Sequence, residues 1–467
     1  MPEFKKPKIG LLGSMLGGYE PIFPGIIERQ ENYAREIAAS VADIADVVFP
    51  GAVTDRASAE QTVAQFNRDG LDGILIVMLA YGSSTWLMHA MQDNTLPLGL
   101  AVLQPDDVMK QDFVELDFTV NQGIHGAQDN ANALGRLGIP CQYFAGSRKG
   151  ERFKKYFSDF STAAAICTRL RSMRVATFGK MTGMGDLFAD EIALYTKVGP
   201  EYCHETIGYV AQLMETISED DIKKRMEYEK DIFDIDPKLQ YDDYAHALRQ
   251  YLAIKKMMEE RGYDAFTIHF DVLGDDGRFR QLPFLAASNL MAEGYGFAAE
   301  GDAMCATALS MALQMTNRMA TFSEMYAMDF NEQAVLMCHA GESNWRIAKK
   351  SKKPRLVDKV FNEGGLENPP TPLFTPEPGR ATIVSFAPMI GDRFKLIIAD
   401  GEILAKDDLA GCEMPYMFFK PDAGMENLVE KWLGAGGTHH EVVTIGNTSS
   451  CWKMITDMLG VEAVVID

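Results

Sequence analysis

Hydrophobic positions in the first 170 residues switch repeatedly between two patterns. Lys8–Ser14 (KIGLLGS) is a short apolar run, and Glu31 to Ala45 then places Ala34, Ile37, Ala38, Val41 and Ile44 at helical spacing. DVVFPG reads as a strand stopped by Pro50-Gly51, Arg56 to Asn67 is again helical, and Asp72 to Ala80 (DGILIVMLA) is apolar throughout. Apolar strands separated by amphipathic helices predict a parallel sheet covered on both faces. Such sheets bind ligands beyond the carboxyl ends of their strands, so Ser14–Tyr19 and Tyr81–Thr85 are the first places to expect pocket loops.

A second α/β unit opens at Arg174–Gly179 (RVATFG), with helices expected over Tyr209–Glu229 and Asp243–Arg261 and a strand at Ala265–Phe270 (AFTIHF). The acidic run Glu219–Asp236 reads as a solvated helix face. From about Asn331 strands dominate: AVLMCHA, ATIVSFAPMI and FKLIIADGEIL, the last with Asp400-Gly401 as a candidate hairpin turn. Between them, Lys349–Pro378 is rich in Lys, Pro and Gly and reads as a long surface loop. The expected architecture is α/β: two parallel-sheet, Rossmann-like domains (1–170 and 171–325) followed by a strand-rich, β-barrel-like C-terminal domain (326–467).

Composition narrows the function. At 467 residues the chain exceeds a single core, and its net charge of −21 disfavours nucleic acid and anionic membranes. The longest apolar stretch, Ile74 to Ala80, is too short to span a bilayer, and MPEFKK leads into the first strand without an apolar leader. The seven cysteines are scattered with no C-x-x-C pair, which fits a reducing cytoplasm. The glycosylation sequon at Asn447 would then stay idle.

Common catalytic signatures are absent: there is no G-x-S-x-G, H-E-x-x-H, P-loop or dinucleotide fingerprint. Gly179–Gly185 (GKMTGMG) follows a strand and reads either as a phosphate-binding turn or as a plain connection. Met304, Met311, Met315 and Met319 lie near helical spacing and read as a core stripe. Among the eight histidines, His125 (NQGIHG), His339 (CHAGES) and His439-His440 (GGTHH) occupy glycine-flanked polar turns, where substrate or metal can approach the backbone. Taken singly, each is more often a structural histidine. Glu300 and Asp302, in the glycine-rich EGYGFAAEGD turn, add carboxylates of the kind a divalent cation needs. Spacing alone does not assemble these groups.

Five segments together resemble the L-arabinose isomerase family, part of the wider group that includes L-fucose isomerase: DFTVNQGIHG (Asp117–Gly126), QLPFLAASNLMAEGYGFAAEGD (Gln281–Asp302), FSEMYAMDF (Phe322–Phe330), VLMCHAGESN (Val335–Asn344) and AGGTHH (Ala435–His440). The resemblance implies a metal-dependent aldose–ketose isomerase working through an enediol on a free sugar. It places the metal ligands on Glu300, Glu324, His339 and His440, with His439 a neighbour that spacing does not exclude. Two carboxylates and two imidazoles suit Mn²⁺, with Co²⁺ or Mg²⁺ as alternatives. Glu300 and Glu324 are the implied acid/base pair, and His125, Gln122 and Phe270 the implied substrate contacts. It also implies a homo-oligomer, hexamer or tetramer, with the site at a subunit interface.

Departures from the family pattern bear on the substrate. After the first strand, Met15 stands where the family carries a glutamine. A pocket aromatic falls on Ala80, with Tyr81 able to substitute one position on, and a tryptophan is replaced by Ala303. GDDGRFR (Gly274–Arg280) enlarges a neighbouring loop. Lost polar and aromatic contacts point to a pentose, deoxyhexose or hexose other than L-arabinose. A sugar epimerase and a catalytically silent sugar-binding relative are the alternative functions on this scaffold, although a silent binder has no need of two acid/base carboxylates.

Overall fold

Five parallel strands, β1 (Lys8–Ser14), β2 (Asp46–Val48), β3 (Gly73–Met78), β4 (Leu98–Val102) and β5 (Cys141–Ala145), form the first sheet in the order β2-β1-β3-β4-β5. The computed structural model describes residues 2, 4–361, 365–406 and 408–467. Every residue of β3 is buried, as its unbroken apolar run requires. One face of the sheet packs against Ile26–Ser40 and Glu151–Leu170, whose Ile37 and Phe160 meet Leu75 and Val77 in a single apolar cluster. The other packs against Arg56–Arg68 through Val63 and Phe66. Helix Ser449–Leu459, near the end of the chain, returns to this unit: Ser450 donates to the Asp159 carboxylate at 2.6 Å, and Met454 packs on the core. Lys5–Arg169 and Ser450–Gly460 thus constitute one compact unit, and Leu170–Ser449 with Val461–Asp467 the main part of the other.

The second unit contains a four-stranded parallel sheet and a barrel. β6 (Arg174–Phe178), β7 (Glu201–His204), β8 (Ala265–Ile268) and β9 (Gly296–Ala299) lie in the order β9-β8-β6-β7. The barrel strands are β10 (Ala320–Asp329), β11 (Ala334–Cys338), β12 (Gly379–Pro388), β13 (Phe394–Ile403), β14 (Tyr416–Pro421) and β15 (His440–Ile445). They pair antiparallel in the order β12-β15-β10-β11-β14-β13, and β13 pairs back onto β12 to close the ring and remove its edges. β16 (Glu462–Ile466) adds to β13 in parallel. The α/β class with a barrel-like C-terminal part is therefore as the sequence predicts.

Helix Ala303–Met315 is buried from Ala303 through Leu313 and packs against both β9 and the barrel strand β15. A helix apolar all round belongs between two layers, and its small Ala, Ser and Thr residues let both approach. Met304 and Met311 are buried in it, in keeping with a core stripe.

Four local expectations are corrected. Asp400-Gly401 makes no hairpin: β13 runs straight through it, and a side chain on Gly401 would meet the Phe419 ring and the Lys420 carbonyl at 2.5 Å. The helix expected over Tyr209–Glu229 is two helices, Ile207–Thr216 and Glu219–Glu229, because Ser218 caps the second by accepting from the Asp221 amide. In the acidic run Glu229 is fully buried rather than solvated, held by Arg225, Tyr244 and Asn289. Lys349–Pro378 also contains more order than a loop, since Arg355–Asp358 pairs with Pro370–Leu373 on one side and with Asp234–Ile235 on the other in a small sheet.

Helix Tyr241–Arg261 buries His246, whose Nε2 accepts from the Arg280 amide at 3.2 Å. Burial, with Arg280 and Arg249 nearby, holds its pKa down at about 4 from an ordinary 6.5. The unfolded chain thus takes up this proton first as pH falls. Stability from this group is complete above about 6.5 and is lost as pH drops from there toward 4, by up to about 3 kcal/mol. His246→Gln is expected to flatten the melting temperature between pH 6.5 and 4.5. An unchanged slope there would remove His246 from the acid response.

Candidate active site

Glu300 follows the last residue of β9, at the carboxyl end of the parallel sheet. Its φ of 65° is left-handed, and Gly301 follows at 88°. A side chain on Gly301 would meet the Lys180 Cα at 2.5 Å, so the glycine is required by close approach as well as by backbone angle. Strain at a non-glycine carboxylate persists only where its surroundings hold it. Asp302 then caps helix Ala303–Met315 by accepting from the Cys305 amide at 2.9 Å.

The remaining groups come from three adjacent barrel strands. Glu324 in β10 pairs across to Cys338 of β11 on one side and to His440 of β15 on the other. His339 follows β11 directly, and His439 precedes β15. Sheet register therefore gathers residues that are far apart in sequence. His440 Nε2 lies 3.5 Å from Glu300 Oε2 and 3.6 Å from Glu324 Oε1, and His339 Nε2 lies 3.8 Å from Glu324 Oε1. Phe322 packs its ring against both His339 and His440.

Each histidine is fixed from behind by a carboxylate on Nδ1. His339 meets Glu342 at 2.8 Å, His440 meets Asp302 at 2.9 Å and His439 meets Asp186 at 2.7 Å. This is the arrangement by which proteins set the tautomer of metal-binding imidazoles. Burial works against charge on His339, but the Glu342 carboxylate outweighs it and raises the pKa. His439 is likewise raised to about 9: burial pulls down, and the Glu300 and Asp186 carboxylates more than offset it. For Glu300 burial pushes up, and His439 with His440 brings the carboxyl below its usual range.

The donors fit a divalent cation. His440 is fully buried and its Nε2 has no hydrogen-bond partner, an expensive condition unless another ligand takes the lone pair. Glu300, His339 and His440 each offer an atom within 4.8 Å of the others, and so do Glu324, His439 and His440. A cavity of about 340 Å³ opens beside them, lined by Met181, Phe270, Phe284, Phe361 and Tyr326 together with Glu300, Glu324 and His339. That is room for a monosaccharide against a largely apolar wall.

The structure thus brings together Glu300, Glu324, His339, His439 and His440, with Phe270 on the cavity wall. The other expected contacts belong to the first unit. His125 stacks on Tyr81 with ring centroids 5.0 Å apart, Gln122 donates to the Tyr19 hydroxyl at 3.0 Å, and Tyr81 donates to Asp129 at 3.1 Å. Met15 is fully buried in that unit's apolar core. Sequence reading missed Glu342 and Asp186. Glu342 stood in plain view, three residues after His339 in CHAGES. Asp186 stands 253 residues from His439, one position past the loop Gly179–Gly185.

Comparison with known proteins gives consistent matches. The model of the L-arabinose isomerase central domain matches residues 174–318, and that of the L-arabinose isomerase C-terminal domain matches 319–462. An L-arabinose isomerase of Pediococcus pentosaceus is 30% identical over 371 residues, covering 76% of each chain. One from Clostridium beijerinckii is 28% identical, covering 90% of this chain and 86% of the relative. One from Leuconostoc mesenteroides is 26% identical, covering 95% and 96%.

Proposed function

Since the chain belongs to the L-arabinose isomerase family, we propose that it is a metal-dependent aldose–ketose isomerase acting on a free sugar through an enediol. The observation that carries this reading is the convergence of Glu300, Glu324 and buried, carboxylate-oriented histidines at the edge of a sugar-sized cavity. Glu300, Glu324, His339 and His440 would hold the cation, Mn²⁺ in first place, with Co²⁺ or Mg²⁺ as alternatives. When bound, it supplies polarisation of the sugar carbonyl, which acidifies the neighbouring C–H. Glu300 and Glu324 carry the proton between C1 and C2. Both lie beside imidazoles that offset their mutual repulsion. Phe270 covers the apolar side of the sugar, and His125, Gln122 and Tyr81 contribute hydroxyl contacts.

Three domains, at 1–170, 171–325 and 326–467, complete the reading, and the two family matches fall on the second and third. The active form is a homo-oligomer, hexamer or tetramer, with its site at a subunit interface. The scattered cysteines, with no C-x-x-C pair, suit a cytoplasmic protein. No described helix is long and apolar enough to cross a membrane.

A screen of aldoses and ketoses with Mn²⁺, followed by NMR, tests the reaction. Met15 and Ala80 offer no hydrogen-bonding or aromatic group where the arabinose enzymes have them. L-arabinose is therefore expected to be a poor substrate, and another aldose a better one, each lost hydroxyl contact being worth about 1 to 3 kcal/mol. A kcat/KM for L-arabinose equal to the best sugar tested would contradict the specificity. Epimerised product without ketose would replace the reaction, and no turnover of any sugar would end the enzymatic reading.

A further inference from the structure

Three side chains of the first unit each bury a polar atom that nothing answers. Gln30 and Tyr33 are 0% and 5% exposed and the Arg148 side chain 16%, yet Gln30 Oε1, the Tyr33 hydroxyl and Arg148 Nε have no hydrogen-bond partner among the described residues. Such orphans are uncommon singly, and three lining one cavity call for a common partner. Helix Ile26–Ser40 places Gln30 and Tyr33 three residues apart on its buried face. Gln30 Nε2 donates to the backbone carbonyls of Leu79, just past β3, and of Val120 at 3.0 Å. With both carbonyls on the nitrogen, the amide orientation is fixed and Oε1 is left as a pure acceptor. Arg148, three residues past β5, lays its guanidinium over the Tyr33 ring at 5.5 Å, and Glu36 holds it through Nη2 at 2.5 Å, which leaves the Nε–H as a donor. Burial pushes the Tyr33 pKa up, so the hydroxyl keeps its proton and both donates and accepts.

The cavity has a volume of about 560 Å³, and Pro105 and Asp106, which follow β4, also line it. It therefore lies beyond the carboxyl ends of β4 and β5, where open parallel sheets bind ligands, and its size suits a monosaccharide or polyol. All of its residues belong to the first unit, and none lines the cavity beside Glu300. Charge selects the class of ligand. Glu28, Glu36 and Asp106 line the cavity together with Arg29 and Arg148, so neither sign prevails. An anion would meet three carboxylates, and a cation two guanidiniums. One acceptor, one donor and one group that is both are answered by hydroxyls, which donate and accept at once.

We propose that this cavity is a second binding site, for a neutral polyhydroxylated molecule of pentose or hexose size, with Gln30 Oε1 accepting from one hydroxyl, Arg148 Nε–H donating to the same or the neighbouring one, and the Tyr33 hydroxyl completing the set. The Tyr33 hydroxyl turns about its C–O bond to meet the ligand. Once bound, the molecule ties helix Ile26–Ser40 to the segments that follow β4 and β5, and so stabilises the first unit by mass action. This site stands whether or not the isomerase reading does.

The test uses the full-length protein and xylitol, a neutral pentitol with no carbonyl to isomerise. Hydrogen–deuterium exchange read by mass spectrometry is expected to show saturable protection of peptides covering residues 25–36, 103–107 and 146–150. Calorimetric titration with chelator present should show xylitol binding weakened about 5- to 10-fold in Tyr33→Phe, which removes one oxygen, and at least as much in Arg148→Lys, which keeps the charge but loses the Nε–H. Without xylitol, Tyr33→Phe should melt no lower than the wild type, because the hydroxyl it deletes has no protein partner. A lower melting temperature for Tyr33→Phe means that the hydroxyl already serves the fold, and overturns the proposal. So does protection that is absent or confined to peptides around Glu300, or xylitol affinity within twofold of wild type in both variants. Stronger protection of the same peptides by glycerol 3-phosphate or by spermidine overturns the neutral class of ligand. None of these outcomes bears on the isomerase reading, which turnover of sugars tests separately.

Discussion

Glu324→Gln and Glu300→Gln are each expected to abolish sugar turnover while leaving the fold intact. Glutamine keeps the size of the side chain and its place in the strand or turn, but it cannot accept the proton from carbon and takes one negative charge from the site. Loss of general acid/base catalysis alone costs about 10²- to 10⁴-fold, and weaker polarisation of the carbonyl adds to it. Metal content separates the two contributions. Exchange of the substrate C2 deuterium with solvent provides a second readout: an enediol route gives washout in the wild type and none in either variant. Near wild-type turnover in both variants with metal bound would make these carboxylates structural.

The two substitutions are not equivalent. Glu324 is an interior residue of β10, and the ladders to Cys338 and His440 hold its backbone whatever the side chain. Glu300 sits at a φ of 65°, where the carboxylate interactions with His439 and His440 help to repay the strain. Glu300→Gln should therefore cost more stability than Glu324→Gln.

Much of the fold was legible because periodicity is a local property. β1 runs over Lys8–Ser14 as its apolar pattern indicates, and β3 lies inside the apolar run Asp72–Ala80. The misreadings arose where tertiary contact overrides local preference. Asp-Gly is a strong hairpin signal, yet Gly401 is there because Phe419 presses on the backbone, and Asp400 serves Thr382 and Ser449 as an acceptor. A barrel-like domain was legible in the strand-rich pattern, but not the strand order that closes it, since pairing of β12 with both β13 and β15 depends on register between distant segments.

The same distinction applies to the site. The candidate ligands could be named from residue type and family resemblance, but the carboxylates that orient them could not. Asp302 reaches His440 across 138 residues and Asp186 reaches His439 across 253, and no spacing rule connects such positions. Only Glu342, local to His339, left a signal short enough to read. Nor could sequence show that His439 and His440 both face the carboxylates. Adjacent residues of an extended strand point to opposite faces, and these two share a direction because His439 lies in the turn just before β15.

Chelation should lower the melting temperature of the metal-loaded protein, because a ligand bound only by the folded chain stabilises it by mass action. At a free metal concentration about 1,000 times Kd the contribution is about 4 kcal/mol. For a unit of this size that amounts to roughly 6 °C. His339→Ala is expected to abolish the response of the melting temperature to added Mn²⁺. The absolute melting temperature is the wrong quantity to compare, since removing the imidazole also strands Glu342, a buried carboxylate whose charged form His339 stabilises. His339→Ala should therefore melt below even the chelated wild type, with the metal increment gone. If His339→Ala retains the full increment and full metal content, His339 is not a ligand. If the wild type shows no increment and elemental analysis finds no metal, the site does not hold a cation at all.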